Sequence, residues 1–152
     1  VEIVNLHSPA LEFEAIHRIV TDVDTKALMS EMTAALELSE EKSEQAIVVC
    51  DNGTEKTLYI HKPTSKLTVG SLQNFLDSYI KEKGGKVDYI HGAEVIRELS
   101  AKENSIGFML PDMGKEELFP TVIVDGALPR KTFSMGHAED KRFYVEARKI
   151  LK

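Results

Sequence analysis

Apolar positions along the chain switch between an alternating and a helical period, and the switches mark off its elements. Residues 1–6 alternate as a strand does, and His7-Ser8-Pro9 ends that run, because proline lacks a ladder donor and restricts the residue before it. Residues 13–20, with Ile16, Ile19 and Val20, read as a second strand in preference to a short helix. Asp24 or Thr25 then caps a helix reaching about Leu38, with Ala27, Leu28, Met32, Ala35 and Leu36 on one face. The acidic stretch 39–44 reads as a solvated connection.

Two β-rich runs, 46–50 and 57–61, flank Asp51-Asn52-Gly53-Thr54. Asn and Gly both tolerate positive φ, so an antiparallel hairpin is expected. Thr68 or Ser71 opens the most regular helix, with Leu72, Phe75, Leu76, Tyr79 and Ile80 along one stripe and Gly84-Gly85 as its stop. A strand over 86–90, a helix over 92–102 burying Val95, Ile96 and Leu99, and a strand over 105–110 form a βαβ unit. That order predicts a parallel pairing and a right-handed crossover. Residues 113–124 look helical around Pro120, which either follows a first turn or begins a second short helix. A last helix is expected over 138–151, burying Phe143, Ala147 and Ile150.

Together these elements predict an α/β fold: a mixed β-sheet of about five or six strands with a β-hairpin and a βαβ unit, helices packed on the sheet faces. The 152 residues form a single domain, with no linker, repeat or low-complexity segment to divide them. A chain of this size buries roughly 70% of its unfolded surface, so an ordinary core is expected.

Charge narrows the function classes. A net charge of −6 argues against non-specific nucleic-acid or anionic-membrane binding, which need a basic face. No run approaches the ~18 apolar residues of a membrane span, and the first residues lack a signal peptide's pattern. The single cysteine, Cys50, closes an apolar run and reads as core rather than nucleophile, which fits a reducing cytoplasm. The chain opens at Val1, already in a strand-like run, which suggests part of a longer protein.

No Gly-rich phosphate loop, His-Glu-x-x-His, Cys-x-x-Cys or Gly-x-Ser-x-Gly is present, so no motif specifies a reaction or a cofactor. No two of the five histidines stand three or four residues apart, and no metal site is expected. Hydrogen-bonding chemistry is densest over 125–144. There Arg130 and Lys131 offer cations, Thr132 and Ser134 hydroxyls, and His137 and Arg142 stand at the start of the last helix, whose free amides suit an anion. The alternative is a solvated loop with Glu139 and Asp140 satisfying the helix dipole. His17-Arg18 is a second candidate, although strand alternation puts the two on opposite faces. His91-Gly92 lies where a strand meets its helix, a frequent ligand position in open α/β sheets.

Several runs also resemble a prokaryotic family known as domain of unknown function 1015. They are Val4-Asn5-Leu6-His7-Ser8-Pro9-Ala10-Leu11, Phe13-Glu14-Ala15-Ile16-His17-Arg18-Ile19-Val20, Tyr89-Ile90-His91-Gly92 and Asp125-Gly126-Ala127-Leu128-Pro129-Arg130-Lys131-Thr132-Phe133, in the family's order. The resemblance implies the latter part of a longer protein, preceded by a motif such as Asp-Gly-His-His-Arg that is similar to one in ParB-like nucleotide-binding and kinase proteins. No such motif occurs here. After Phe133 the chain departs from the family's usual aromatic and proline residues, so carry-over is confined to His17, Arg18, Lys131 and Thr132. The implied function is to help bind a nucleotide or phosphorylated metabolite, with the upstream portion as partner and catalytic residues on that portion. The alternative is a non-catalytic structural, interaction or dimerisation domain.

Overall fold

The computed structural model describes residues 5–9 and 11–136, so the expected strand over 1–6 lies mostly outside the described residues and the helix over 138–151 wholly outside them. Seven strands form one sheet in the order β2-β4-β3-β6-β1-β5, with β7 added to β1. Chain order is β1 (Phe13–Thr21), α1 (Thr25–Leu36), β2 (Leu38–Ser39), β3 (Gln45–Asp51), β4 (Thr54–Ile60), α2 (Thr68–Lys83), β5 (Lys86–His91), α3 (Ala93–Ser100), β6 (Ser105–Met109), a 3-10 turn (Lys115–Glu117), α4 (Leu118–Asp125) and β7 (Phe133–Met135).

The α/β architecture is the expected one, and the pairing differs. Every ladder among the described residues is antiparallel. β5 and β6 do run in the same direction, but β1 lies between them and is antiparallel to both. The βαβ unit is therefore split by a strand that precedes it by some sixty residues, which spacing within the unit cannot reveal.

Local chemistry accounts for most boundaries. Asp24 caps α1 by accepting from the amides of Lys26 at 3.0 Å and Ala27 at 3.1 Å. α1 stops at Leu36, short of the expected end, because Glu37 turns left-handed with φ 51° and Leu38–Ser39 joins β4. Asn52 and Gly53 take φ 46° and 76°, the two positive values a type I′ hairpin needs, and Asp51 pairs with Thr54. Pro120 is tolerated as the third residue of α4, within a first turn whose amides have no intrahelical acceptor.

Adjacent residues on β1 face different cores. Val20 packs with Leu28, Met32, Leu72 and Leu76 of α1 and α2, while Ile19 packs with Ile96 of α3 and with Cys50. α3 lies close against β6, where a methyl group on Gly107 would meet Ile96 Cγ2 at 2.6 Å. The added strand β7 is anchored by Phe133, whose ring stacks on Phe13 at 4.0 Å and 12°. Pairing β7 with β1 is what fixes the 126–132 loop against the sheet. No described helix is long and apolar enough to cross a membrane.

Candidate functional site: a cleft at the head of helix α2

The 126–132 loop divides the predicted polar residues between two places. Arg130 turns toward the middle of α2, where its Nη2 donates to Asp77 Oδ1 at 2.6 Å and its Nε to the Tyr89 hydroxyl. Arg18 joins it there, fully buried. Its Nε donates to Gln73 Oε1 at 3.3 Å, Nη1 to the Ile16 carbonyl and Nη2 to the Arg130 carbonyl at 3.0 Å, with the guanidinium 5.1 Å from the Tyr89 ring centroid. Gln73 passes the contact on to Asp77 at 2.8 Å. Burial pushes the Arg18 pKa down to about 10, so the guanidinium stays cationic at neutral pH. Every nitrogen of Arg18 has a protein partner, and the cluster clasps β1, α2, β5 and the loop together.

His17 faces the other way, as alternation requires. Its Nδ1 accepts from the Leu110 amide at 3.2 Å, which places the proton of the neutral ring on Nε2, and burial holds its pKa below the ordinary histidine value. His91 Nε2 contacts Glu14 Oε2 at the sheet edge. His61 Nε2 lies 2.8 Å from Ser39 Oγ, a separation suited to a base beside a nucleophile. The same nitrogen lies 3.1 Å from the Glu41 carbonyl, which can only accept, so Nε2 carries a proton and cannot take one from the serine. Cys50 is buried, and desolvation pushes its thiol up to about 11, away from nucleophilic use. His137 and Arg142 lie outside the described residues.

Thr132 reaches a different place: a cleft of about 370 Å³ whose walls include Lys66, Thr68, Asp112 and Glu117. The 64–67 segment beneath it is firmly held. Buried Gln45 donates through Nε2 to the carbonyls of Ser65 at 2.8 Å and Lys66 at 3.0 Å, and accepts from Ser71 Oγ at 2.8 Å. Asp125 Oδ2 accepts from Ser65 Oγ and from the Lys66 amide, each at 2.7 Å, and these bonds, the serine's first, hold its pKa below the usual carboxylate value.

Helix α2 opens into this cleft without a side-chain cap, because Leu67 stands at the capping position. The amides of Gly70 and Ser71 bond the Leu67 carbonyl at 3.0 and 3.2 Å, leaving those of Thr68 and Val69 without an acceptor among the described residues. Thr68 is only 8% exposed, and its hydroxyl has no partner among the described residues. Lys66 makes no salt bridge there. Thr132 donates to the Pro129 carbonyl at 2.6 Å, so toward the cleft its oxygen can only accept. Lys131 is exposed, with φ 54°.

Sequence reasoning took Thr68 for a helix-opening residue and passed over Lys66. The available signal was a lysine two residues before a threonine at the head of the most regular helix; that the cap would fall on Leu67 was not visible.

No family model and no curated protein matches the chain. Solved structures share its fold. A conserved hypothetical protein from Pyrococcus furiosus superposes with a TM-score of 0.67 at 16% identity, over 90% of this chain and 61% of that one. A free serine kinase in complex with ADP gives 0.67 at 17% identity, over 89% and 58%. SbnI from Staphylococcus aureus, with a C-terminal truncation, gives 0.55 at 12% identity, over 87% and 53%. At these identities the likeness is one of fold. The chain spans about three-fifths of the length of the first two proteins.

Proposed function

We propose that this chain is the C-terminal portion of a longer cytoplasmic protein of the kind its resemblance to the domain-of-unknown-function-1015 family implies. It helps to bind a nucleotide or phosphorylated metabolite, and the catalytic residues lie upstream. The observation that carries this reading is the head of α2, where two amides and the Thr68 hydroxyl have no partner among the described residues and lie beside Lys66. Helix N-termini favour anions through both amides and dipole, and a lysine adds a charge-assisted donor. Thr132 brings the 130–132 loop to the same cleft, with Lys131 adjacent as a further cation, and Arg18 and Arg130 hold that loop in place. The fold neighbours lend support, since one is a kinase solved with ADP and with AMP. A thermal-shift titration with inorganic phosphate and AMP tests the reading. A ligand at one hundred times its dissociation constant adds about 2.7 kcal/mol to the state that binds it. Stabilisation that disappears in Lys66→Ala is expected, and no stabilisation by either ligand defeats the reading.

A second reading is a non-catalytic structural or interaction domain that forms dimers. What favours it is α4, which exposes Ile123 at 82%, Val124 at 69% and Phe119 at 63%. Sedimentation of the chain and of Ile123→Glu separates the readings: a dimer dissociated by the glutamate supports self-association, and a monomer at every concentration removes it.

A further inference from the structure

The cleft at the head of α2 is not uniformly suited to negative charge. Asp112, Glu117 and Glu44 share its walls with Lys66 and Thr68. Two of these carboxylates are oriented by one backbone bond each: Asp112 Oδ1 accepts from the Ala15 amide at 2.7 Å, and Glu117 Oε2 from the Gly114 amide at 2.8 Å. Asp112 Oδ2 and Glu117 Oε1 have no hydrogen-bond donor among the described residues. A carboxylate oxygen only accepts, so a ligand group meeting it must donate. The same cleft thus offers donors, namely the Thr68 and Val69 amides, the Thr68 hydroxyl and Lys66, together with oriented acceptors.

We infer that the cleft takes a phosphate monoester whose body carries hydroxyl groups, such as a sugar phosphate, with phosphate on the α2 amides, Thr68 and Lys66 and hydroxyls donating to Asp112 and Glu117. The inference rests on the anion-binding reading above and narrows its ligand. A chain of several phosphates would set negative charge against the carboxylates, which costs affinity. The cleft volume of about 370 Å³ is near the lower end of small-molecule sites, of about 300 to 1,000 Å³, and so favours a small monoester. Carboxylates binding ribose hydroxyls is a recurrent pairing in α/β proteins. Thr68 is nine-tenths buried, and its hydroxyl, which has no partner among the described residues, meets ligand or solvent at the cleft.

Isothermal titration of the full chain with inorganic phosphate, ribose 5-phosphate and 2-aminoethyl phosphate tests this. Ribose 5-phosphate is expected to bind about tenfold more tightly than inorganic phosphate, the worth of one or two hydrogen bonds to a charged acceptor. Asp112→Asn with Glu117→Gln keeps acceptors for the Ala15 and Gly114 amides, and should reduce that advantage to about twofold or less while phosphate binds as well as before or better. Lys66→Ala and Thr68→Val should weaken every ligand. Equal affinity for phosphate and ribose 5-phosphate, or an advantage that survives the double substitution, overturns the inference and leaves the anion site standing. A gain for 2-aminoethyl phosphate alone makes the donor an ammonium and overturns it as well. Binding of none of the three defeats this inference and the anion-binding reading together.

Discussion

Two polar clusters lie along α2, and they differ in whether the protein completes them. At its middle, Arg18, Gln73, Asp77, Tyr89 and Arg130 form a closed set in which every Arg18 nitrogen has a protein acceptor. At its head, the Thr68 hydroxyl and two amides open onto a cleft and have no acceptor among the described residues. The closed cluster contains more charge and is the more eye-catching in sequence, yet its chemistry is consumed in holding the loop to the sheet. The open cluster is modest in composition, and its donors are free to act on something else. Polar density therefore marks where chemistry is concentrated, while unfilled partners mark where it is available.

The largest test of that contrast is Arg18→Met. It keeps the apolar stem but strands the carbonyls of Ile16 and Arg130 and the Gln73 side chain in the interior, at about 1–3 kcal/mol for a stranded group. A loss of about 3 kcal/mol in urea unfolding is expected, and a change below about 1 kcal/mol would show that the closed cluster is not structural. Gln45→Leu comes next, because it removes the donor that holds the Ser65 and Lys66 carbonyls and the acceptor for Ser71. A cost of about 2 kcal/mol is expected, together with weakened phosphate binding, since Lys66 loses its anchored backbone.

The histidine facing away from both clusters sets a pH dependence. Burial lowers the folded pKa of His17, so the fold favours the neutral ring. Its contribution is present above the unfolded value of about 6.5 and is lost as pH falls below it. Unfolding midpoints should therefore fall more between pH 7.5 and pH 5 for the wild type than for His17→Gln, and equal slopes would rule this out. The smallest effect belongs to the open cluster. Thr68→Val should leave unliganded stability within about 0.5 kcal/mol or raise it, because the hydroxyl it removes has no partner to strand. A large loss would mean that Thr68 belongs to the closed, structural class.

Much of the fold was legible because its signals are local. The Asn52-Gly53 hairpin, the Asp24 cap and the apolar stripe of α2 each arise from a few neighbouring residues, and the buried Cys50 follows from the apolar run it closes. The opposite facing of His17 and Arg18 was likewise implied by strand alternation. Arg18 shows the limit of such signals. Arginine next to histidine in a strand reads as exposed, and only Gln73, some fifty-five residues away, together with the Arg130 carbonyl, makes its burial tolerable.

What the sequence determined by itself is most of the described elements, β2 and β7 excepted, and most of their ends, because capping, turn geometry and periodicity act over a few residues. What only the tertiary structure decided is which strands are neighbours and which polar groups are left over. β1 inserts between β5 and β6 and removes the parallel pairing that their spacing implied, and β7 joins β1 across more than one hundred residues. The cleft at the head of α2 depends in turn on Gln45 and on Asp125 and Thr132, brought together from two distant parts of the chain. Strand adjacency and hydrogen-bond completion are both settled by competition among distant groups for the same partners, and that competition exists only once the chain has folded.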